Sequence, residues 1–400
     1  MWPGTGVWPD TGAAAQVPAA YFLGAVGAGA AAWAAAAPIR HGLGEQLAAA
    51  RAHPAVIEAY RLAATAVVLL VPYVVGCAVG FGLTARTFPP GVHLWLGYVT
   101  LGVFAILLAT CWGWALGKLF GSVYAALAAV LSWFLFLSAF DNSVGFAVVS
   151  GPPEVTVDPM VMGLRLGTVA LLLVTLVWMS PLSWLRERPT RALAPAAAGG
   201  VLAVVLAMTT PVVDREPPGE VICVQGRMEL CIWPEHEKYL PLLADVSARI
   251  DALPDAFYLP PRMNEYGVER VNYVDEEGVI RENPGTLPYF LILEGSPWSL
   301  AGEITTAIMY ETWRSCDEHP SDAPAASQRQ RSNALYGWLE AYLAGAGEPD
   351  YATNAPSEFQ RGWAAGREIA NTLPVAEQLT WAEQEVREIR DHCQRDDAAA

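Results

Sequence analysis

The chain changes character at Pro211, and this change constrains the fold more than any other feature. An apolar run at residues 193–210 stops there, and Val-Val-Asp-Arg-Glu-Pro-Pro-Gly-Glu follows. A helix needs roughly 20 apolar residues to cross a bilayer. Six segments come close to that length: residues 20–37, which are the weakest, 62–84, 94–117, 122–140, 162–180 and 193–210. The sequence therefore predicts a polytopic helical membrane domain of about six transmembrane helices at residues 20–211.

The charged residues divide at the same boundary. Of the forty acidic residues, thirty-three lie after residue 210, together with fifteen of the twenty-four Lys and Arg. Because a negative surface repels phosphate, nucleic acid is excluded as a direct partner of this half. We expect residues 212–400 to form a separate, acidic, water-soluble domain, and its 190 or so residues are enough to bury a core of their own.

The cations of the membrane domain are unevenly distributed between the loops. Seven of the nine lie in alternate loops: Arg40, Arg51, Arg61, Lys118, Arg186, Arg188 and Arg191. Loops rich in Lys and Arg stay in the cytoplasm. The pattern predicts a multi-pass plasma-membrane protein with the lipid bilayer as its first partner. Residues 1–19 are then an extracytoplasmic stub, residues 38–61 a cytoplasmic loop, and residues 212–400 an extracytoplasmic domain.

Four of the six cysteines lie in the acidic half, at Cys223, Cys231, Cys316 and Cys393. An even number is typical of oxidising compartments and agrees with an extracytoplasmic location. Three disulfide pairings are possible. We favour Cys223 with Cys231, which flank a short turn, and Cys316 with Cys393, which would tie the last helix to the body. A zinc site formed by Cys316 and Cys393 with two nearby histidines is the alternative.

The interiors of the apolar segments contain no Asp, Glu, Lys or His at mid-depth. An ionisable group there usually marks a proton relay or an ion path, so a proton-coupled transporter or pump is disfavoured. Gly113, Gly117 and Gly121 repeat at a spacing of four residues, as do Gly76 and Gly80. Small residues at this spacing predict close packing between helices.

The acidic half predicts a mainly helical α+β domain. Residues 221–224 and 229–233 have the pattern of a strand hairpin, and residues 289–293 that of a buried strand. Residues 254–288 are rich in proline and look irregular. Helices are predicted at residues 234–253, 296–315, 333–343, 357–372 and 374–392.

The segment Glu235-His236-Glu237 is a weak candidate for a polar site. A histidine flanked by carboxylates can act as an acid–base or metal site. The His-Glu-x-x-His zinc motif is not present, because Leu240 stands where the second histidine belongs. Carboxylates at a helix N-terminus explain the same residues, because they favour the helix dipole. We predict no catalytic residues, no metal and no cofactor. An external hydrolase that depends on His236 is the alternative.

The first cytoplasmic loop is long and contains a helical pattern at residues 45–51, which stops before Pro54. Its Ala and Arg content is typical of an interfacial helix that lies at the membrane surface. A docking surface for a cytoplasmic protein explains it equally well, and the pattern leaves both interpretations open.

Within this loop Glu45, Leu47, Arg51 and Pro54 form a Glu-x-Leu-x3-Arg-x2-Pro segment, between an apolar hairpin and a run of Ala/Gly/Leu-rich spans. This order resembles the membrane subunits of type-2 ABC exporters, in which the corresponding loop holds a coupling helix that meets the ATPase. The resemblance implies a permease-like subunit that is not itself catalytic. It also implies a separate ABC ATPase, and assembly as a homodimer or heterodimer.

The chain is more similar still to actinobacterial permease-like proteins that carry an extracytoplasmic domain after the last span. The matching motifs are Cys231-Ile-Trp-Pro-Glu-His236, Tyr266-Gly267, Ser296-Pro-Trp-Ser-Leu-Ala301, Trp338-Leu339, Gln378-Leu-Thr-Trp381 and the final Cys393. Such proteins usually begin with a basic stub and another span, so we expect a further span upstream of Met1. The resemblance implies an external domain that gates or receives cargo. A membrane-anchored binding or scaffold protein without transport activity is the alternative.

Overall fold

The structure is a computed structural model, and the chain divides in it into two compact units, Met1–Arg215 and Glu216–Ala400. The division falls close to the change of character at Pro211. The described residues are 6–43, 46, 52–144, 153–178, 193–269, 272–274, 280–282, 288–293, 295–314, 326–345, 347–349 and 357–399.

Unit 1 is mainly helical over its described length. Its helices are α1 (Trp8–Pro18), α2 (Gly24–Arg40), α3 (Pro54–Thr84), α4 (Val92–Phe120), α5 (Tyr124–Val144), α6 (Pro159–Trp178) and α7 (Leu193–Met208). A π-helical turn joins α1 to α2, so the two form one continuous helix. This combined helix, α3, α4 and α6 are each long and apolar enough to cross a membrane, and α5 and α7 contain shorter apolar helices. These are the features of a helical membrane protein.

The first apolar helix begins earlier than the sequence pattern indicates. We expected residues 1–19 to precede the membrane domain, but α1 starts at Trp8. The Trp8 side chain is fully buried. Its ring lies 5.1 Å from that of Phe81 and 6.1 Å from that of Trp95, and its Nε1 donates to the Pro89 carbonyl at 2.7 Å. Tertiary packing of this aromatic residue stabilises a helical turn that is too poor in large apolar residues to be recognised alone.

Helix α4 is the most buried of the four long helices, and α2 packs directly against its backbone. A Cβ added at Gly113 would lie 2.0 Å from the Ala28 carbonyl oxygen, and one at Gly117 would lie 2.4 Å from that of Ala32. Only glycine permits this approach, which confirms the packing role predicted for these two residues. Gly76 differs, because nothing lies within 4 Å of the corresponding position.

Two short strands follow the helices at the exit from unit 1. Strand β1 (Val155–Val157), just before α6, pairs antiparallel with β2 (Val212–Asp214), just after α7. The Asp158 amide also donates to the Pro211 carbonyl at 2.9 Å. The chain that leaves α7 is therefore held by backbone hydrogen bonds rather than left as a free linker.

Unit 2 combines a small sheet with helices. Its strands are β3 (Ile222–Val224), β4 (Glu229–Ile232), β5 (Arg262–Glu265), β6 (Asn272–Val274), β7 (Ile280–Glu282) and β8 (Tyr289–Phe290). The helices are α8 (Leu240–Asp251), α9 (Pro297–Trp313), α10 (Ala326–Ala344), α11 (Ser357–Thr372) and α12 (Val375–Ala399). The sheet has the order β3-β4-β5-β8, and β6 pairs with β7 separately. Strands β3 and β4 are antiparallel, whereas β4, β5 and β8 run parallel.

The sheet differs from the sequence prediction at two strands. The hairpin β3–β4 is present as predicted, but β5 lies in the proline-rich stretch that looked irregular. Its sequence, Arg-Met-Asn-Glu, lacks a run of β-branched residues, so parallel pairing with β4 and not local propensity creates it. The buried strand predicted at residues 289–293 is reduced to Tyr289–Phe290.

Tryptophan and glycine residues organise the helical part of unit 2. Trp338 of α10 is fully buried, and its Nε1 donates to Gln378 Oε1 of α12 at 3.1 Å. A Cβ added at Gly366 of α11 would lie 1.8 Å from the Ala334 carbonyl oxygen, so α10 and α11 touch along their backbones. Trp381 packs edge-on against Trp338 at 6.0 Å. The motifs at residues 338–339 and 378–381 are therefore core elements.

Candidate functional site

A charged cluster lies at the end of unit 1 where α3 begins. The Glu58 carboxylate on α3 is 2.7 Å from Lys118 Nζ on α4 and 2.8 Å from Arg61 Nη1 one turn along α3. Trp114 Nε1 donates to Glu58 Oε1 at 3.1 Å. The side chains of Glu58 and Lys118 are only 14% and 9% exposed. We call Glu58, Arg61, Trp114 and Lys118 the Glu58 cluster.

The cluster reaches two further helices through backbone carbonyls. Lys118 Nζ donates to the Leu176 carbonyl near the end of α6 at 2.6 Å. Arg61 Nη2 donates to the Ala34 carbonyl of α2, and its guanidinium lies 5.5 Å from the Trp114 ring centre. A single group of side chains therefore ties α2, α3, α4 and α6 together at one point.

Local sequence explains why these residues meet. His53 caps α3, with its Nδ1 accepting from the Ala55 amide at 3.3 Å, and Pro54 occupies the first turn, where its missing N–H costs nothing. Glu58 then falls one turn inside α3. Lys118 lies in the last turn of α4, where a cation stabilises the helix dipole. Because α3 and α4 run in opposite directions, these two ends lie side by side.

The loop predicted to meet an ATPase is shorter than expected. Residues 38–40 belong to α2 and residues 54–61 to α3, so residues 41–53 connect them. Of the coupling candidates, Pro54 starts α3. Glu45, Leu47 and Arg51 lie outside the described residues.

Glu58 is not among the residues predicted from the sequence. Arg61 and Lys118 were expected in loops, whereas both lie within helices and share one carboxylate. The spacing between Glu58 and Arg61 was visible, because residues three apart face each other on a helix. The partner Lys118 is 60 residues further along the chain, and only the tertiary structure identifies it.

Arg165 is a second cationic residue that links two helices, here α6 and α7. The whole residue is buried, and its Nε donates to Thr209 Oγ1 at 3.2 Å. It also donates to the carbonyls of Leu206 and Thr209, at the end of α7. A buried ionisable residue in an apolar helix is by default a functional candidate. Here the guanidinium satisfies carbonyls that the end of α7 leaves open, which is a packing role.

The polar triplet in unit 2 separates into two environments. Glu235 and His236 are buried, and Glu237 is exposed. His236 Nδ1 lies 2.5 Å from Oε1 of Glu265, a residue of β5. The second carboxylate oxygen of Glu265 accepts from the Trp233 amide at 3.0 Å. Because both members of the His236–Glu265 pair are at most 2% exposed, the pair acts as an internal link between β5 and the short 3-10 helix Pro234–Tyr239 that follows β4. Glu265 was not predicted as the partner of His236, because it lies 29 residues further along the chain.

The predicted disulfide between Cys223 and Cys231 is confirmed, and it joins directly opposed residues of β3 and β4. Glu229 lies beside it, but bonded sulfurs do not act as zinc ligands. Cys316 and the side chain of Cys393 lie outside the described residues, so their pairing and the zinc alternative stay predictions.

Comparison with known proteins gives no match. No protein-family model, no curated protein and no solved structure matches this chain. The function has to be inferred from its own residues.

Proposed function

We propose that the protein is a permease-like membrane subunit of an ABC-type export system and is not itself catalytic. In this proposal the long helices, with α5 and α7, form six spans, and the segment at residues 41–53 meets a separate cytoplasmic ATPase. Unit 2 lies on the opposite side of the membrane, where it binds cargo or a partner.

The Glu58 cluster is the observation that supports this proposal best. A loop that receives movement from a partner must be connected to the helices that respond. Residues 41–53 connect α2 to α3, and the cluster links these two helices to α4 and α6 within two turns of the loop. Side chains that are largely enclosed in such a network hold one geometry, because breaking a buried ion pair is costly. Displacing the loop therefore displaces four helices together.

A static anchor is the second candidate. The backbone contact between α2 and α4 at Gly113 and Gly117 leaves no room for a polar path between these two helices. This observation favours a membrane-anchored binding or scaffold protein, in which the helices hold unit 2 at the membrane and transport nothing.

Co-purification distinguishes the two functions. The full chain carrying Glu45→Gln and Arg51→Gln would be extracted in mild detergent from its native host, and nucleotide-binding proteins that elute with it would be quantified by mass spectrometry. We expect an ABC ATPase with the wild-type chain and a reduction of about tenfold in the double variant, since two charged contacts contribute at least 1.4 kcal/mol.

The matched control is Arg86→Gln with Glu220→Gln, two exposed residues of the same types outside the loop. This control should retain the ATPase at the wild-type level. If the wild-type chain recovers no nucleotide-binding protein under conditions that preserve the Cys223–Cys231 disulfide, the export proposal fails and the anchor is favoured.

A further inference from the structure

The hairpin of β3 and β4 places three side chains of metal-binding type on one face of the sheet. Cys223 lies directly opposite Cys231, with 4.0 Å between their Cα atoms. Glu229 precedes Cys231 by two residues on β4, so its side chain points to the same face. The two sulfurs and a carboxylate oxygen of Glu229 all lie within 4.8 Å of one another. Cysteine sulfur and carboxylate oxygen are both ligands that Zn²⁺ takes in proteins.

The disulfide between Cys223 and Cys231 decides whether these sulfurs can bind a metal, because a cysteine ligand has to be a thiolate. A dithiol reductant supplies two electrons and two protons to the pair. The S–S bond then breaks, two thiols form, and the dithiol becomes a disulfide. When Zn²⁺ binds, the two thiol protons pass to solvent.

The hairpin has other interactions that hold its strands together when the disulfide is reduced. Strand β3 pairs with β4 over three residues, and β4 also pairs with β5. The disulfide links residues only 8 apart in sequence, so it restricts the unfolded chain less than a long-range disulfide does. We therefore expect the two thiols to stay opposite each other. Two sulfurs on a tetrahedral zinc ion are about 3.8 Å apart, which is close to their contact distance without a bond.

The three side chains can be reached from solvent. Strand β3 lies at one edge of the described sheet, and Cys223 and Glu229 are half-buried there. Cys231 is fully buried, but its sulfur is bonded to that of Cys223, so one approach reaches both sulfurs.

The charges around the three side chains suit a divalent cation. Arg262 Nε lies 3.5 Å from Glu229 Oε2. Two thiolates and the Glu229 carboxylate carry three negative charges, which the Arg262 guanidinium and one Zn²⁺ ion neutralise together. A neutral set of charges is the arrangement in which partial burial costs least.

We propose that the reduced protein binds Zn²⁺ through Cys223, Cys231 and Glu229, and that the disulfide excludes the metal. A water molecule takes the fourth position, as at other zinc sites with three protein ligands. All three ligands belong to unit 2, so the site is compatible with either proposed function. In an oxidising compartment the disulfide form prevails, and a dithiol protein that reduces it controls zinc binding.

Cobalt binding tests this site, because Co²⁺ bound to thiolates gives a charge-transfer absorption band that other ligands do not give. The untagged full chain with Cys316→Ser and Cys393→Ser would be purified in detergent, reduced by a phosphine that is then removed, and titrated with Co²⁺ without oxygen. We expect the band in the reduced chain and not in the oxidised chain, and we expect Zn²⁺ to displace Co²⁺. Glu229→Gln should weaken Co²⁺ binding at least about tenfold, since even groups outside the ligand set contribute roughly 10- to 100-fold.

Glu220→Gln is the matched control, because it removes an exposed carboxylate three residues before Cys223 and should leave Co²⁺ affinity unchanged. A variant with Cys223→Ser and Cys231→Ser should lose the band, and it controls for the cysteines of unit 1. If this variant does not fold, Glu229→Gln decides the test. The proposal is overturned if the reduced chain gives no band, if the serine variant gives an equal band, or if Glu229→Gln binds Co²⁺ as tightly as the unsubstituted site.

Discussion

The Glu58 carboxylate is contacted by donor groups of three side chains, and we expect it to contribute strongly to the stability of the fold. Lys118 and Arg61 supply two positive charges, and Trp114 adds an indole N–H. The site is largely enclosed, so the charges are poorly screened and depend on each other. Removing the carboxylate takes the shared Glu58 acceptor from both cations.

We therefore expect Glu58→Gln to lower the free energy of unfolding by about 3 kcal/mol, the cost of breaking a buried ion pair. Thermal unfolding of the purified chain in detergent would show this as a lower midpoint. Adding Lys118→Met to Glu58→Gln should recover part of the loss, because it removes a cation that contacts Glu58 in the wild-type protein. Glu220→Gln, at an exposed position, is the control, and an unchanged midpoint for Glu58→Gln would show that the cluster does not stabilise the fold.

Single residues were predictable only where their role is local. The Cys223–Cys231 pairing followed from two cysteines on either side of a short turn. The partner of His236 did not, because Glu265 lies on a parallel strand that local sequence does not identify. The carboxylate of Glu58 was overlooked for the same reason. Its strongest contact is with a residue on another helix.

At the scale of elements, glycines that contact a neighbouring helix have a different role from glycines that do not. Gly113 of α4 lies against the α2 backbone, whereas nothing lies within 4 Å of a Cβ at Gly163 of α6. Both residues occupy apolar helices and look alike in sequence. Only Gly113 determines how closely two helices, α2 and α4, approach each other.

Gly113→Ala should separate α2 from α4 and lower the free energy of unfolding by about 1–3 kcal/mol, because overpacking forces the backbones apart. Gly163→Ala should be neutral or slightly stabilising, since alanine favours a helix over glycine. Parallel thermal unfolding of the two variants in detergent is the measurement. Equal effects of the two substitutions would contradict the close approach of α2 and α4.

Helices were more predictable than strands. Length and composition located the cores of α3, α4 and α6, because apolar runs of about twenty residues have few alternatives. The start of α1 at Trp8 was missed, since the next dozen residues are mostly small or helix-breaking. Strand β5 was missed because its residues are polar and its pairing is non-local.

At the scale of the whole molecule, the division into two units follows the distribution of charge along the chain. The orientation of these units across the membrane is part of the proposed function. It rests on the cations between apolar segments and on the disulfide in unit 2, which suits an oxidising compartment.

Cysteine labelling tests this orientation. In a background with Cys316→Ser and Cys393→Ser, we expect Glu220→Cys to react with a membrane-impermeant maleimide on intact cells. Arg188→Cys should react only after the cells are permeabilised, because its loop is predicted to be cytoplasmic. The opposite pattern would invert the orientation and place unit 2 in the cytoplasm.

The pairing of β2 with β1 also determines where the chain could be cut. Up to Arg215 it belongs to unit 1, and Val212–Asp214 is hydrogen-bonded to the segment before α6. A protease requires an extended stretch without such bonds. The next residues, Glu-Pro-Pro-Gly-Glu, are mostly exposed and precede β3. A cleavage sequence inserted there would release the disulfide hairpin and everything after it as one piece, leaving the membrane helices and their strand pair intact.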